Sequence, residues 1–133
     1  NELSGTVCVF DIEGKQPRLL QEIASDSVGG GGSADIHFSP DYRYLYASNR
    51  LKEDGISIFS VDKRTGLLEK IGYIKTGIHP RNFTLSPDGG FVIVAERDSN
   101  RIEVFSRDKR TGLLKATPHK ANLSMPVFVM WGE

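Results

Sequence analysis

This chain has a single cysteine, a single tryptophan and no long apolar run. The lone Cys8 rules out an internal disulfide framework and suits a reducing compartment, as a structural residue in the run Val7-Cys8-Val9-Phe10. With no signal peptide visible either, a cytoplasmic location is the expectation. No stretch approaches the roughly 20 apolar residues a membrane-spanning helix needs, so no membrane partner is expected. Neither charge is in excess. Seventeen Lys and Arg balance seventeen Asp and Glu over 133 residues, leaving no bulk field to favour nucleic acid. His37, His79 and His119 lack metal-ligand spacing and one Cys cannot build a zinc site, so no metal is expected. Phosphate loops, dinucleotide fingerprints and Gly-x-Ser-x-Gly elbows are missing too.

What the chain has instead is repetition. Asp62-Lys63-Arg64-Thr65-Gly66-Leu67-Leu68 returns unchanged at Asp108 to Leu114, Ser39-Pro40-Asp41 returns as Ser86-Pro87-Asp88, and the offset is 46 to 47 residues. Such a period marks either a β-propeller blade or a helical array. Short alternating runs rich in β-branched and aromatic residues, bounded by turn punctuation, decide for strands. Ala34 to Ser39, Tyr44 to Ser48, Ile56 to Val61 and Leu67 to Ile74 make one set of four; Arg81 to Ser86, Phe91 to Ala95, Ile102 to Ser106 and Leu113 onward make the next. Four strands per period is one blade.

The expected fold is therefore all-β, made of blades of four antiparallel strands. Residues 1–32 read as half a blade and a loop, 33–79 and 80–124 as two whole blades, and 125–133 as the first strand of a further one. Propellers typically close with about four to eight blades, so this chain is expected to be a C-terminal part of a larger ring, with the remaining blades as its partners. The run Gly29 to Ser33 reads as a flexible loop, with a phosphate-cradling nest or an engineered linker as alternatives.

Residues repeated in every blade serve the blade, whereas residues that change identity at equivalent positions are candidates for a site. Asp41, Asp88 and the two Lys-Arg-Thr-Gly turns fall in the first class and read as turn chemistry. Tyr42, Tyr44 and Tyr46 alternate as packing residues. Glu2, His37, Arg50 and Arg81 fall in the second class: the repeats pair Glu2 with Arg50 and Arg97, His37 with Thr84, and Arg81 with Ala34. They sit at or near the ends of second strands and the starts of first strands, which share one rim. His79 and Asp35 lie near the same strand starts. A carboxylate, an imidazole and two guanidiniums suit an anionic small molecule, because Arg grips phosphate or carboxylate bidentately and Glu or His moves a proton to or from water. The plainer alternatives are a rim ion pair for each Arg and a hydrogen-bonded strand residue for His37.

The segments Asn1-Glu2-Leu3, Ala34-Asp35-Ile36-His37-Phe38-Ser39-Pro40-Asp41, Ala47-Ser48-Asn49-Arg50 and Pro80-Arg81-Asn82-Phe83 resemble the seven-bladed propeller lactonases of the bacterial 6-phosphogluconolactonase type, similar in fold to the fungal carboxymuconate lactonising enzyme. The resemblance runs through essentially the whole chain. It implies hydrolysis of a phosphorylated sugar lactone without metal or organic cofactor. It also implies a rim site in which Glu2 and His37 are catalytic and Arg50 and Arg81 bind substrate, with a further Arg from an upstream blade. Two departures stand out: Glu96-Arg97 where the family more usually has Asn-Gln, and the simplified loop at Gly29 to Gly32. A non-catalytic binding propeller, or a lactonising enzyme acting on an unsaturated dicarboxylate, would use the same rim. In any of these cases the isolated chain is expected to be inactive.

Overall fold

A computed structural model describes residues 1–132, in which ten strands and no helix form three antiparallel sheets. β1 (Thr6–Asp11) and β2 (Arg18–Ala24) pair alone. β3 (Ile36–Phe38), β4 (Tyr44–Asn49), β5 (Gly55–Val61) and β6 (Leu68–Lys75) form a four-stranded meander in sequence order. β7 (Pro80–Leu85), β8 (Phe91–Glu96), β9 (Arg101–Arg107) and β10 (Leu114–Asn122) repeat it.

The sheets stack face to face, so the middle one is covered on both sides and every residue of β4 is buried. One side chain layer joins Tyr44, Tyr46, Ile56 and Ile58 to Phe83, Val92, Val94 and Phe105 of the last sheet. The other joins Leu45, Ala47, Phe59 and Leu68 to Val7 of the first. Successive residues on a strand face opposite ways, so a strand sandwiched between two sheets needs apolar or paired side chains on both faces. Full burial of a Phe such as Phe59 or Phe83 is worth about 1.5–3 kcal/mol.

Polar bonds tie the stack together. Tyr46 donates its hydroxyl to the Gly112 carbonyl at 2.7 Å and accepts from Arg107 Nε at 2.6 Å. Gln21 grips the backbone of Leu68 twice, each time at 2.8 Å. The repeated motifs are turns: Asp62 accepts from the amides of Arg64 and Thr65, Asp108 from those of Arg110 and Thr111, and the hydroxyls of Ser39 and Ser86 donate to Asp41 and Asp88. The Ser86 hydroxyl, helped by the Gly90 amide, holds the Asp88 carboxyl down at about 2.

Three expectations need correction. Tyr42 is not a packing residue: it sits in the turn with φ 56° and its ring is mostly exposed. The run Gly29 to Ser33 is not a loose loop. The nearly buried Asp26 carboxylate accepts from the amides of Val28, Gly29 and Gly30 at 2.6–3.1 Å, and Gly32 donates to the Glu2 carbonyl at 2.6 Å. The nest is thus filled by the chain's own carboxylate. Glycine is required at Gly32, where φ is +87° and a Cβ would lie 2.6 Å from the Arg50 carbonyl. Finally, the stretch expected as a first strand from Met125 forms no strand among the described residues, because no second strand lies beside it to complete a ladder. It still follows the inner-strand path: Val129 donates to Asn82 Oδ1 at 2.7 Å, as Phe83 one repeat earlier donates to Asp35 Oδ2 at 3.1 Å.

Candidate functional site

Each sheet contributes one rim residue to a connected polar group. Glu2 precedes β1, Arg50 follows β4 and His79 precedes β7. Arg50 donates from Nη2 to Glu2 Oε1 and from Nη1 to His79 Nε2, the latter at 3.1 Å. The other ring nitrogen of His79 meets Asp98 Oδ2 at 3.1 Å, and Asp98 also pairs with Arg97 at 3.4 Å. The side chain of Arg50 is only 11% exposed while that of Glu2 is 56% exposed, so a largely desolvated cation points an open carboxylate toward solvent. Among the described residues Arg50 Nε finds no hydrogen-bond partner.

The local backbone explains how these side chains reach one place. Gly32, His79 and Met125 stand at equivalent points before the inner strand of successive repeats, and all three have positive φ, at 87°, 62° and 44°. The fold needs a left-handed turn there, which glycine adopts freely and an L-residue only with strain. Asp54 pins this conformation by accepting from the His79 amide at 2.8 Å. Two residues on, the register of β7 against β8 shifts between Pro80 and Asn82, leaving Arg81 as the extra residue. Such a bulge re-aims a side chain. Arg81 is exposed and, among the described residues, its guanidinium makes no hydrogen bond or ion pair.

His37 lies elsewhere. Its Nε2 meets Asp35 Oδ2 at 3.0 Å, and its ring packs edge-on against Phe83 with centroids 4.9 Å apart. It touches neither Glu2 nor Arg50. Burial pushes the Asp35 carboxyl up, but the bonds from His37 and the Phe83 amide outweigh it and hold the group below the usual carboxylate range. The structure thus brings Glu2 and Arg50 together, leaves Arg81 free nearby in sequence to the group, and puts His79 rather than His37 against the arginine. The signal for His79 was its place directly before the inner strand; what hid it was that its partners, Asp54 and Asp98, sit in loops 25 and 19 residues away. A groove of about 510 Å³ runs between β1 and the start of β3, lined in part by Glu2 and Asp35. Among the described residues no group of three or more His, Cys, Asp or Glu side chains could hold a metal ion.

Stacked four-stranded antiparallel sheets define part of a β-propeller, and its rim carries acidic and cationic side chains. A family profile described as "Lactonase, 7-bladed beta-propeller" matches residues 1–131, and the chain belongs to that family. A 6-phosphogluconolactonase of Formosa agariphila is 45% identical over 106 residues, which is 77% of this chain and 30% of the relative. A crystal structure of a candidate 6-phosphogluconolactonase from Bacteroides fragilis superposes with TM-score 0.92 at 50% identity, over 96% of this chain and 36% of that one. The periplasmic gluconolactonase of Pseudomonas aeruginosa superposes with TM-score 0.89 at 35% identity, over 94% and 36%. The chain therefore spans about a third of the length of the relatives it matches.

Proposed function

We propose that the whole propeller hydrolyses 6-phosphogluconolactone to 6-phosphogluconate, and that Glu2, Arg50 and Arg81 belong to its site. The observation that carries this reading is the contact of Glu2 with Arg50 on the rim, in a chain of the lactonase family. The exposed, unpaired guanidinium of Arg81 is suited to grip the phosphate as a fork. Arg50, largely desolvated, is placed to stabilise negative charge as it develops on the lactone carbonyl oxygen. Glu2 takes a proton from the attacking water. The hydroxide oxygen bonds to the carbonyl carbon, the ring C–O bond breaks, and the departing ring oxygen takes the proton back from Glu2 to give the open acid. His37 is paired with Asp35 and has no hydrogen bond to Glu2 or Arg50, so this reading places the proton transfer on Glu2.

The activity belongs in this reading to the oxidative pentose phosphate route in the cytoplasm, a setting that keeps the unpaired Cys8 reduced. The test is turnover of the phosphorylated and unphosphorylated lactones by the whole protein, corrected for spontaneous hydrolysis. Preference for the phosphorylated substrate is expected. Glu2→Gln should lower kcat by about a hundredfold or more with little change in KM. Turnover of neither lactone would remove the reading, and an unchanged kcat in the variant would remove Glu2 from it.

A further inference from the structure

We propose that His79 is a positioning residue of this rim: locked as one neutral tautomer by Asp98, it orients the guanidinium of Arg50 toward the lactone carbonyl oxygen. The inference takes its substrate from the lactonase reading and its contacts from geometry alone.

The tautomer follows from what each partner can do. A guanidinium has only donors and keeps its protons, so the 3.1 Å contact between Arg50 Nη1 and His79 Nε2 requires a bare lone pair on that nitrogen. The proton then sits on Nδ1 and is donated to Asp98 Oδ2 at 3.1 Å. Charge alternates along the row, from anionic Asp98 through neutral imidazole and cationic Arg50 to anionic Glu2. With Glu2 on Nη2 and His79 on Nη1, the guanidinium is held at two corners, which sets its plane.

The identity of the residue supports a role beyond the backbone. Position 79 demands a left-handed conformation, and its equivalent one repeat earlier is Gly32, the residue that adopts it without strain. An imidazole stands here instead, most of it buried and with both ring nitrogens engaged. Around the ring stand Arg50 at Nε2, Asp98 at Nδ1 and Asp54 at the backbone amide, with Glu2 paired to Arg50 and Arg97 to Asp98 one contact further out.

His79→Gly separates the two roles, since it relieves the backbone and deletes only the ring. In the whole protein it should keep or raise the melting temperature, lower kcat for 6-phosphogluconolactone about tenfold and leave KM within about twofold. His79→Gln, whose amide reaches the Nε2 position, should recover most of the loss. An unchanged kcat in His79→Gly with the fold intact would overturn the proposal. Nitrogen NMR of the imidazole supplies an arm that needs no turnover: the whole protein should show the Nδ1–H tautomer of His79, lost in Asp98→Leu. An Nε2–H tautomer would overturn the positioning role, whereas failure of every sugar lactone as substrate would overturn the lactonase reading and leave this arm to decide.

Discussion

Glu96 occupies in β8 the place that Asn49 occupies in β4, one repeat earlier, and the exchange buries a carboxyl between two sheets. Asn49 satisfies itself with a bond to Ser57 Oγ at 3.0 Å. Glu96 accepts instead from the Gly77 amide at 2.7 Å and from Arg101, beside a second carboxyl, Glu103, which Lys120 approaches to 3.1 Å. Gly77 is needed for this, since a Cβ there would lie 2.1 Å from Glu96 Oε2. Burial and the neighbouring Glu103 push the Glu96 carboxyl up. Burial acts on Glu103 in the same sense, but its bonds to Glu96 and Lys120 and the charge of Arg101 prevail and hold it down. The two titrate in opposite windows. The Glu96 contribution is fully present below its unfolded pKa and is lost as pH rises through the raised folded value; the Glu103 contribution is lost as pH falls through its depressed one. Glu96→Gln keeps a donor toward Glu103 at every pH, so the urea midpoint of the whole protein should vary less between about pH 5 and 8 than in the parent. An identical pH dependence in the variant would show that Glu96 does not retain its proton.

At the scale of elements, one heptapeptide turn is used in two environments. Gly66 and Gly112 both have positive φ, at 72° and 75°, so each needs glycine for the backbone. At Gly112 the second strand of the preceding sheet closes in, and a Cβ there would stand 2.3 Å from the Tyr44 ring; the two-stranded sheet before Gly66 has no such strand, and nothing lies within 4 Å of a Cβ there. That approach lets Tyr44 and Tyr46 reach the carbonyls of Arg110 and Gly112. In the isolated chain Gly66→Ala should therefore cost about 1–2 kcal/mol for the left-handed residue alone, and Gly112→Ala a further 1–3 kcal/mol, roughly, for the overlap. Equal losses in urea unfolding would mean that the tyrosine contact adds nothing.

The whole molecule is a stack with two open ends. Phe10, Leu19 and Leu20 are exposed on and beside the two-stranded sheet, and Phe91, Phe128 and Met130 at the other end. Apolar surface of that kind on both outer sheets is what neighbouring blades would cover. Relatives about three times as long have the length to supply them. The isolated chain should accordingly show no lactone turnover above the spontaneous rate and should self-associate in sedimentation experiments, whereas the whole protein is expected to turn over as the proposed closed ring. Efficient catalysis by the isolated chain would mean that the rim described here is sufficient by itself.

Strand order, blade count and turn chemistry were legible in the amino-acid sequence because they depend on local periodicity and on residues a fixed number of positions apart. The pairing of Glu2 with Arg50 was half legible: the repeat put both at the same point of successive blades, but an offset of 48 residues becomes a contact only when sheets stack. What the sequence did not disclose depends on through-space partners. His79 rather than His37 meets Arg50 because Asp54, Asp98 and Arg50 converge on it from three separate loops. The glycine run is anchored because Asp26 folds back into it, and the stretch after Met125 stays unpaired because strand pairing needs a neighbour as well as a propensity. Sequence by itself determined that this is a stack of propeller blades, through a period of 46 to 47 residues that carries four alternating strands each time. The tertiary structure decided which polar side chains meet on the rim, because hydrogen bonds and charge pairs act over a few ångströms and are set by where the loops come together.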